Sequence, residues 1–181
     1  MGKPGRPKQV KLIIGLLAKN KKLLNEIEEF FVKEFGDIDY RSKDIPFDYT
    51  DYYKKEMGQP ITRRFISFKR LISPGYIANA KTITNSLEKK TSTKKNGEVK
   101  RSVNIDPGYI SDSKLVLATT KDYFHRIYLK KGICAEVTLA WQKGGFRPFE
   151  WTYPDYRSTE YAAILKKIRN SYMKERNHVA G

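Results

Sequence analysis

The residues with the greatest chemical reach lie in a few short stretches. Asp106 precedes Pro107-Gly108, while Lys121, Asp122, His125 and Arg126 share one later segment. Arg63 and Arg64 form a basic pair upstream, and Asp51, Asn104 and Glu136 are polar residues at or near segment ends. The chain has two histidines, and with His178 in an expected frayed tail His125 is the imidazole available for proton transfer near neutral pH. Asp106 and His125 are therefore the expected catalytic pair. A carboxylate at a strand end can orient a water, bind Mg²⁺ or simply cap a turn. Lys121, Arg126, Arg63 and Arg64 are the expected anion holders, Arg as a rigid fork and Lys as a mobile point charge. Asp51, Asn104, Asp122 and Glu136 complete the polar set. Asp106, Lys121, Asp122, His125 and Arg126 are expected to share one anion-accepting pocket.

Each assignment has a plainer counterpart. Strand alternation groups His125 with Ile127 and Leu129, which would make it a core histidine. Arg126 and Glu136 are expected to face each other across a hairpin, where they can be an ordinary cross-strand ion pair. Asp48, Asp51, Asp106, Asp122 and Asp155 are oxygen ligands near turns, but linear spacing does not bring them together. The sequence names no metal and no cofactor.

Several chemistries are excluded. The phosphate loop Gly-x-x-x-x-Gly-Lys-Ser/Thr, the Gly-x-Gly-x-x-Gly fingerprint and the Gly-x-Ser-x-Gly elbow are all missing. A single cysteine, Cys134, allows no internal disulfide, no cysteine zinc site and no zinc deaminase. With His178 in an expected frayed tail, one histidine is left, too few for a ferredoxin-like phosphoesterase built on two histidine motifs.

The charge balance points to a polyanion. Lys and Arg number 36 against 20 Asp and Glu, a net charge of +16 spread along the chain. Such a field attracts nucleic acid or an anionic surface, or else it only solvates the protein. The aromatic segments Tyr49 to Tyr53 and Phe146 to Tyr156 can stack bases or serve as hydrophobic anchors. The longest apolar run, Leu12 to Ala18, is far short of the ~20 residues of a membrane span, and no signal-peptide core is present. The expected location is the cytoplasm.

Positioning these residues requires elements that the hydrophobic pattern supplies. Residues 1–9 read as a flexible basic tail, its Gly-Arg-Pro resembling a minor-groove arm, and residues 10–181 as a single α+β domain. Val10 to Leu17 suits a buried strand. Asn20 then caps a helix whose face is Leu23, Leu24, Ile27, Phe30, Phe31 and Phe35, with Gly36 as the stop. A strand near Ile38 to Tyr40, a short extended piece and a turn at Met57 to Pro60 follow. Ile61 to Leu71 reads as a strand, and Ser73-Pro74 opens a helix with Ile77, Ala80, Thr84 and Leu87 inward. Lys89 to Lys100 reads as a charged loop with Asn96-Gly97 at its tip. Ser102 to Ile105 is a strand ended by Asp106-Pro107-Gly108, and Lys114 to Thr120 is another. Phe124 to Leu129 and Ile133 to Trp141 form a hairpin about Lys130 to Gly132, with Leu129 opposite Ile133. Ser158 caps a last helix with Tyr161, Ile164, Leu165, Ile168 and Tyr172 inward and Lys166, Lys167 and Arg169 outward. Strand, helix, strand, strand, helix, strand is the ferredoxin-like split βαβ order, here with an added antiparallel hairpin and a C-terminal helix.

The joint order of several segments resembles a bacterial family, the domain of unknown function 4416. These segments are Val10-Lys11-Leu12 through Gly15-Leu16-Leu17, Pro46-Phe47-Asp48-Tyr49-Thr50-Asp51-Tyr52-Tyr53, Glu56-Met57-Gly58, Val103-Asn104-Ile105-Asp106-Pro107-Gly108-Tyr109, Leu117-Ala118-Thr119-Thr120-Lys121-Asp122, His125-Arg126-Ile127-Tyr128-Leu129 and Trp151-Thr152-Tyr153-Pro154-Asp155-Tyr156. The resemblance covers Val10 to about Tyr172 and implies a bacterial protein, with no activity, cofactor or catalytic residue attached. Two functions follow from the residues themselves: a basic module that binds RNA or another polyanion, and a small enzyme or binding protein for a nucleotide or phosphorylated ligand.

Overall fold

Residues 2–95 and 98–179 are described by a computed structural model. The apolar run at the start of the chain becomes β1 (Val10–Ala18), buried along its whole length. A strand buried on both faces sits at the centre of a sheet and needs cover on each side. One face, with Leu12, Ile14 and Leu16, packs under two helices; the other, with Ile13, packs under the last helix. The first helix, α1 (Lys21–Phe35), starts where Asn20 Oδ1 accepts the Leu23 N–H at 2.8 Å. It stops at Gly36, whose φ of 94° suits glycine.

Next come β2 (Ile38–Arg41), β3 (Ile45–Pro46), the short helix α2 (Tyr52–Met57) and the long strand β4 (Thr62–Ile72). A 3-10 turn, Pro74–Tyr76, leads into α3 (Ile77–Thr91). Beyond it lie β5 (Thr93–Lys95), β6 (Glu98–Lys100), β7 (Val103–Ile110), β8 (Lys114–Thr119), β9 (Arg126–Lys130), β10 (Ile133–Gln142), β11 (Gly145–Pro148) and α4 (Thr159–Val179). The main sheet is open and antiparallel in every pairing, with the order β11-β10-β8-β7-β1-β4-β2. β3 adds to β4 and β9 adds to β10, while β5 and β6 form a separate ribbon. The fold is α+β.

The structure corrects several expectations. The charged loop after α3 contains the β5–β6 ribbon; its expected Asn96-Gly97 tip lies outside the described residues. The six-residue α2 was not foreseen, because one and a half turns carry too little periodicity. Ser73 makes no side-chain cap, since Pro74 opens a 3-10 turn before α3. Arg169 is half-buried, its guanidinium 3.9 Å from the Trp141 ring and donating to the Asp112 carbonyl.

Two corrections bear on function. Asp106-Pro107-Gly108 does not end a strand: β7 runs on to Ile110. On β7, β8 pairs only with Gly108 to Ile110, so no β8 residue lies opposite Pro107, which has no N–H to offer one. Gly108 lets β8 approach closely, because a Cβ there would lie 2.5 Å from the Val116 carbonyl oxygen.

The hairpin turn has two residues, not three. Lys131 and Gly132, at φ 56° and 71°, make the turn and set Lys130, not Leu129, opposite Ile133. A register shift between Ile133 and Cys134 then brings Arg126 opposite Glu136, as expected but by a different route. His125 precedes the strand, so alternation does not govern it. Ile127 and Leu129 are exposed rather than core, because β9 lies at the edge of the sheet, added onto β10.

Candidate functional site: a cleft where two strands part

The cleft arises from the limited pairing of β7 and β8. Their ladder spans Gly108 to Ile110 against Leu117 to Leu115 and goes no further. Before Gly108 the strands separate. The backbone of Ile105, stripped of a strand neighbour there, is satisfied from α3. Its N–H donates to Glu88 Oε1 at 2.6 Å, and its carbonyl accepts from Lys81 Nζ at 2.7 Å. Residues 81 and 88 lie seven apart, two helical turns, and so face the strand together. Burial raises the Glu88 carboxyl above its ordinary value, and Lys81 opposes that rise. The opening between the strands has a volume of about 540 Å³, within the range of ligand pockets.

Arg63 forms the floor. It lies on β4, is 2% exposed, and reaches across β1. Its Nη1 donates to Asp106 Oδ2 at 3.1 Å and its Nη2 to Asp155 Oδ2 at 3.0 Å. The β1 residue beneath it is Gly15, paired with Asp106 on β7; a Cβ there would stand 2.8 Å from Arg63 Nη1. Aromatic rings of Phe47, Phe65, Tyr156 and Tyr161 surround the guanidinium at 5.4–5.9 Å. Burial raises the Asp155 carboxyl, with Arg63 opposing and Asp106 reinforcing the shift. Burial also pushes the Tyr161 hydroxyl up to about 12. Asn104, two residues before Asp106 and on the same strand face, donates to Asp106 Oδ2 at 2.9 Å and accepts from Arg101. Arg101 is anchored in turn by Glu56 at 2.6 Å.

The mouth is cationic and aromatic. Lys121 is exposed, 5.6 Å from the Tyr52 ring, and has no carboxylate in ion-pair range among the described residues. Arg101 lies 5.9 and 5.7 Å from the rings of Tyr52 and Tyr53. Arg126 is held at three points: Glu136 Oε2 at 3.0 Å, the Lys121 carbonyl at 3.2 Å and the Tyr153 hydroxyl at 3.0 Å.

Of the site residues expected from the sequence, Arg63, Asn104, Asp106, Lys121, Arg126 and Glu136 line this cleft, joined by Asp155 of the turn carboxylates and by Tyr52, Tyr53 and Tyr153 of the aromatic segments. Asp51, Arg64, Asp122 and His125 do not. His125 sits behind Glu136, its Nε2 3.1 Å from the same Oε2 that Arg126 binds, and stacks on Trp151. The expected catalytic pairing of Asp106 with His125 is therefore not assembled at the cleft wall. Asp122 lies beside Cys134, with Oδ1 3.9 Å from the sulfur. Asp51 pairs with Lys54 on the protein surface. Arg64 points to the opposite sheet face, where Glu28, Asn25 and Asp44 bind it. Adjacent strand residues face opposite ways, which separates it from Arg63.

Lys81, Glu88 and Arg101 belong to the site without having been singled out in the sequence. A detectable signal existed for Lys81, which occupies the inward stripe of α3 beside Ala80 and Thr84. Among the described residues no group of three or more His, Cys, Asp or Glu is placed to hold a metal ion.

The family described as "Domain of unknown function (DUF4416)" matches residues 8–172 of the chain, and the protein belongs to it. No curated protein and no solved structure matches.

Proposed function

We propose that this member of the DUF4416 family uses the cleft between β7 and β8 to bind a small phosphorylated ligand of nucleotide type. The observation that carries this reading is the polarity of the cleft: an acid-free ammonium, Lys121, at the mouth and a fixed carboxylate, Asp106, on the floor. Asp106 is a quarter exposed, and both hydrogen bonds that fix it end on Oδ2. Its Oδ1 can accept from ligand hydroxyls or an amine. The rings of Tyr52, Tyr53 and Tyr153 offer walls for a planar base. Lys121 and the pre-set fork of Arg126 favour phosphate oxygens. In an enzymatic version of this reading, Asp106 takes the proton of a bound hydroxyl or water, and His125 and Arg126 act through Glu136 to hold the wall.

The sheet order β7-β1-β4-β2, with α1 and α3 in the crossovers, supports reading the core as the ferredoxin-like split βαβ. A single buried cysteine, Cys134, supports the cytoplasmic reading.

Thermal-shift screening of nucleoside phosphates and sugar phosphates tests the site. At least one should stabilise the wild type, and Lys121→Ala should reduce that shift without lowering the unliganded melting temperature. The proposal fails if no phosphorylated compound stabilises the protein, or if Lys121→Ala responds as the wild type does.

A further inference from the structure

Beside the cleft mouth, the chain exposes apolar groups that an isolated soluble surface would bury. Tyr123, Phe124, Ile127, Tyr128 and Leu129 are exposed in one stretch, Phe124 by 81%. The rings are supported from behind. Phe149 stacks on Trp151 at an interplanar angle of 4°, and Trp151 stacks on His125 at 12°. Phe124 sets its edge on His125 at 4.9 Å, and Tyr123 packs on Phe124 at 5.0 Å. The stack is anchored, because Trp151 Nε1 donates to the Val137 carbonyl and His125 contacts Glu136. The outer rings therefore stand on a fixed base and lose little freedom when something covers them.

Cations flank the rings. Lys121, Lys130 and Lys131 are exposed, and none has a carboxylate in ion-pair range among the described residues. Asp122 is the acid of this stretch, against those three lysines and Arg126.

These features decide between occupants. A second copy pairing β9 with β9 about Tyr128 would set Lys130 against Arg126, like charges directly opposite. A lipid surface requires one apolar face, but alternation sends Ile127 and Leu129 to one side of β9 and Tyr128 to the other. Exposed rings flanked by lysines match a single strand of nucleic acid, whose bases stack and whose phosphates need cations.

We propose that single-stranded nucleic acid binds across Tyr123, Phe124 and Tyr128, with its phosphates toward Lys121, Lys130 and Lys131. This surface goes beyond the cleft and does not require a ligand there.

The test is fluorescence anisotropy of a labelled short oligouridylate, titrated against the wild type and Phe124→Ser/Tyr128→Ser. Both positions are solvent-exposed, so melting temperatures should match. The wild type should bind with an affinity that falls with salt by about 0.7 log units per log unit for each phosphate neutralised. The double variant should bind roughly ten-fold or more weakly at fixed salt, with the same salt slope. Absence of wild-type binding overturns the proposal. So does a double variant that binds equally well, which would leave charge alone as the cause. Capture by anionic vesicles without oligonucleotide binding, or dimerisation that the double variant abolishes, assigns the surface to another partner and also overturns it. Nucleotide-induced thermal shifts of the double variant report on the cleft separately, so failure at one site is distinguishable from failure at the other.

Discussion

Replacing Arg63 with methionine removes the cation from the floor of the cleft while filling much of its volume. Arg63 is buried between Asp106 and Asp155, with side-chain exposures of 25% and 9% for those two partners. Taking one member from a buried ion pair costs about 3–5 kcal/mol, because the remaining charge stays desolvated. The two carboxylates share one guanidinium, so their losses do not add, and the expected cost at neutral pH stays within that range. For a chain of this size, about 1 kcal/mol corresponds to roughly 2–4 °C, so Arg63→Met should melt about 6–20 °C below the wild type.

The pH dependence makes the test specific. In the wild type the folded Asp155 carboxyl already lies above its ordinary value, through burial first and against the pull of Arg63. Between the unfolded and folded values the native state binds the extra proton, so this group lowers stability as pH rises through that window. Without Arg63, its folded value rises further and the window widens upward. Acidification protonates the orphaned Asp155 carboxylate, so the deficit of Arg63→Met should shrink as pH falls from neutral toward about 4. Denaturant unfolding of both proteins across that range is the assay. A variant within about 1 kcal/mol of the wild type at neutral pH, or a deficit that grows on acidification, refutes the reasoning.

The remaining expectations concern single positions. Gly15→Ala places a methyl 2.8 Å from Arg63 Nη1 and 3.2 Å from both Phe65 and the Tyr156 hydroxyl; overpacking should cost roughly 1–3 kcal/mol in urea unfolding. Gly108→Ala sets its Cβ 2.5 Å from the Val116 carbonyl oxygen, which is backbone and cannot swing aside. It should prise β8 from β7 and lower the denaturation midpoint by more than Gly15→Ala does. Asn20→Ala deletes the acceptor of the Leu23 N–H and should cost about 1 kcal/mol, with loss confined to the first turn of α1 by hydrogen exchange.

The elements that local chemistry dictates were readable without coordinates. Asn20 to Gly36 carries its own cap, stripe and stop, and Ser158 to Tyr172 its own cap and stripe, so both helices follow from neighbours a few residues apart. The Arg126–Glu136 pairing was also legible, although the two-residue turn and the later bulge show how a correct register can follow from offsetting differences. Arg64 is instructive in another way. Once Ile61 to Leu71 reads as a strand, period-two alternation already separates Arg63 from Arg64, and only one of them can face the cleft.

By itself, then, the sequence determined the α1 and α4 helices, the buried first strand, the excess of positive charge and the residue types near the site. Tertiary structure decided which of those residues meet. Where β8 leaves β7, which strand is left at the edge, and how Arg63 crosses over Gly15 to Asp106 and Asp155 depend on residues 43 and 92 positions apart in the chain. Hydrophobic period and capping act within one or two turns of chain. Long-range pairing depends instead on how the strands and helices pack around the core, and that packing sets His125 behind Glu136 and Lys81 and Glu88 against the Ile105 backbone.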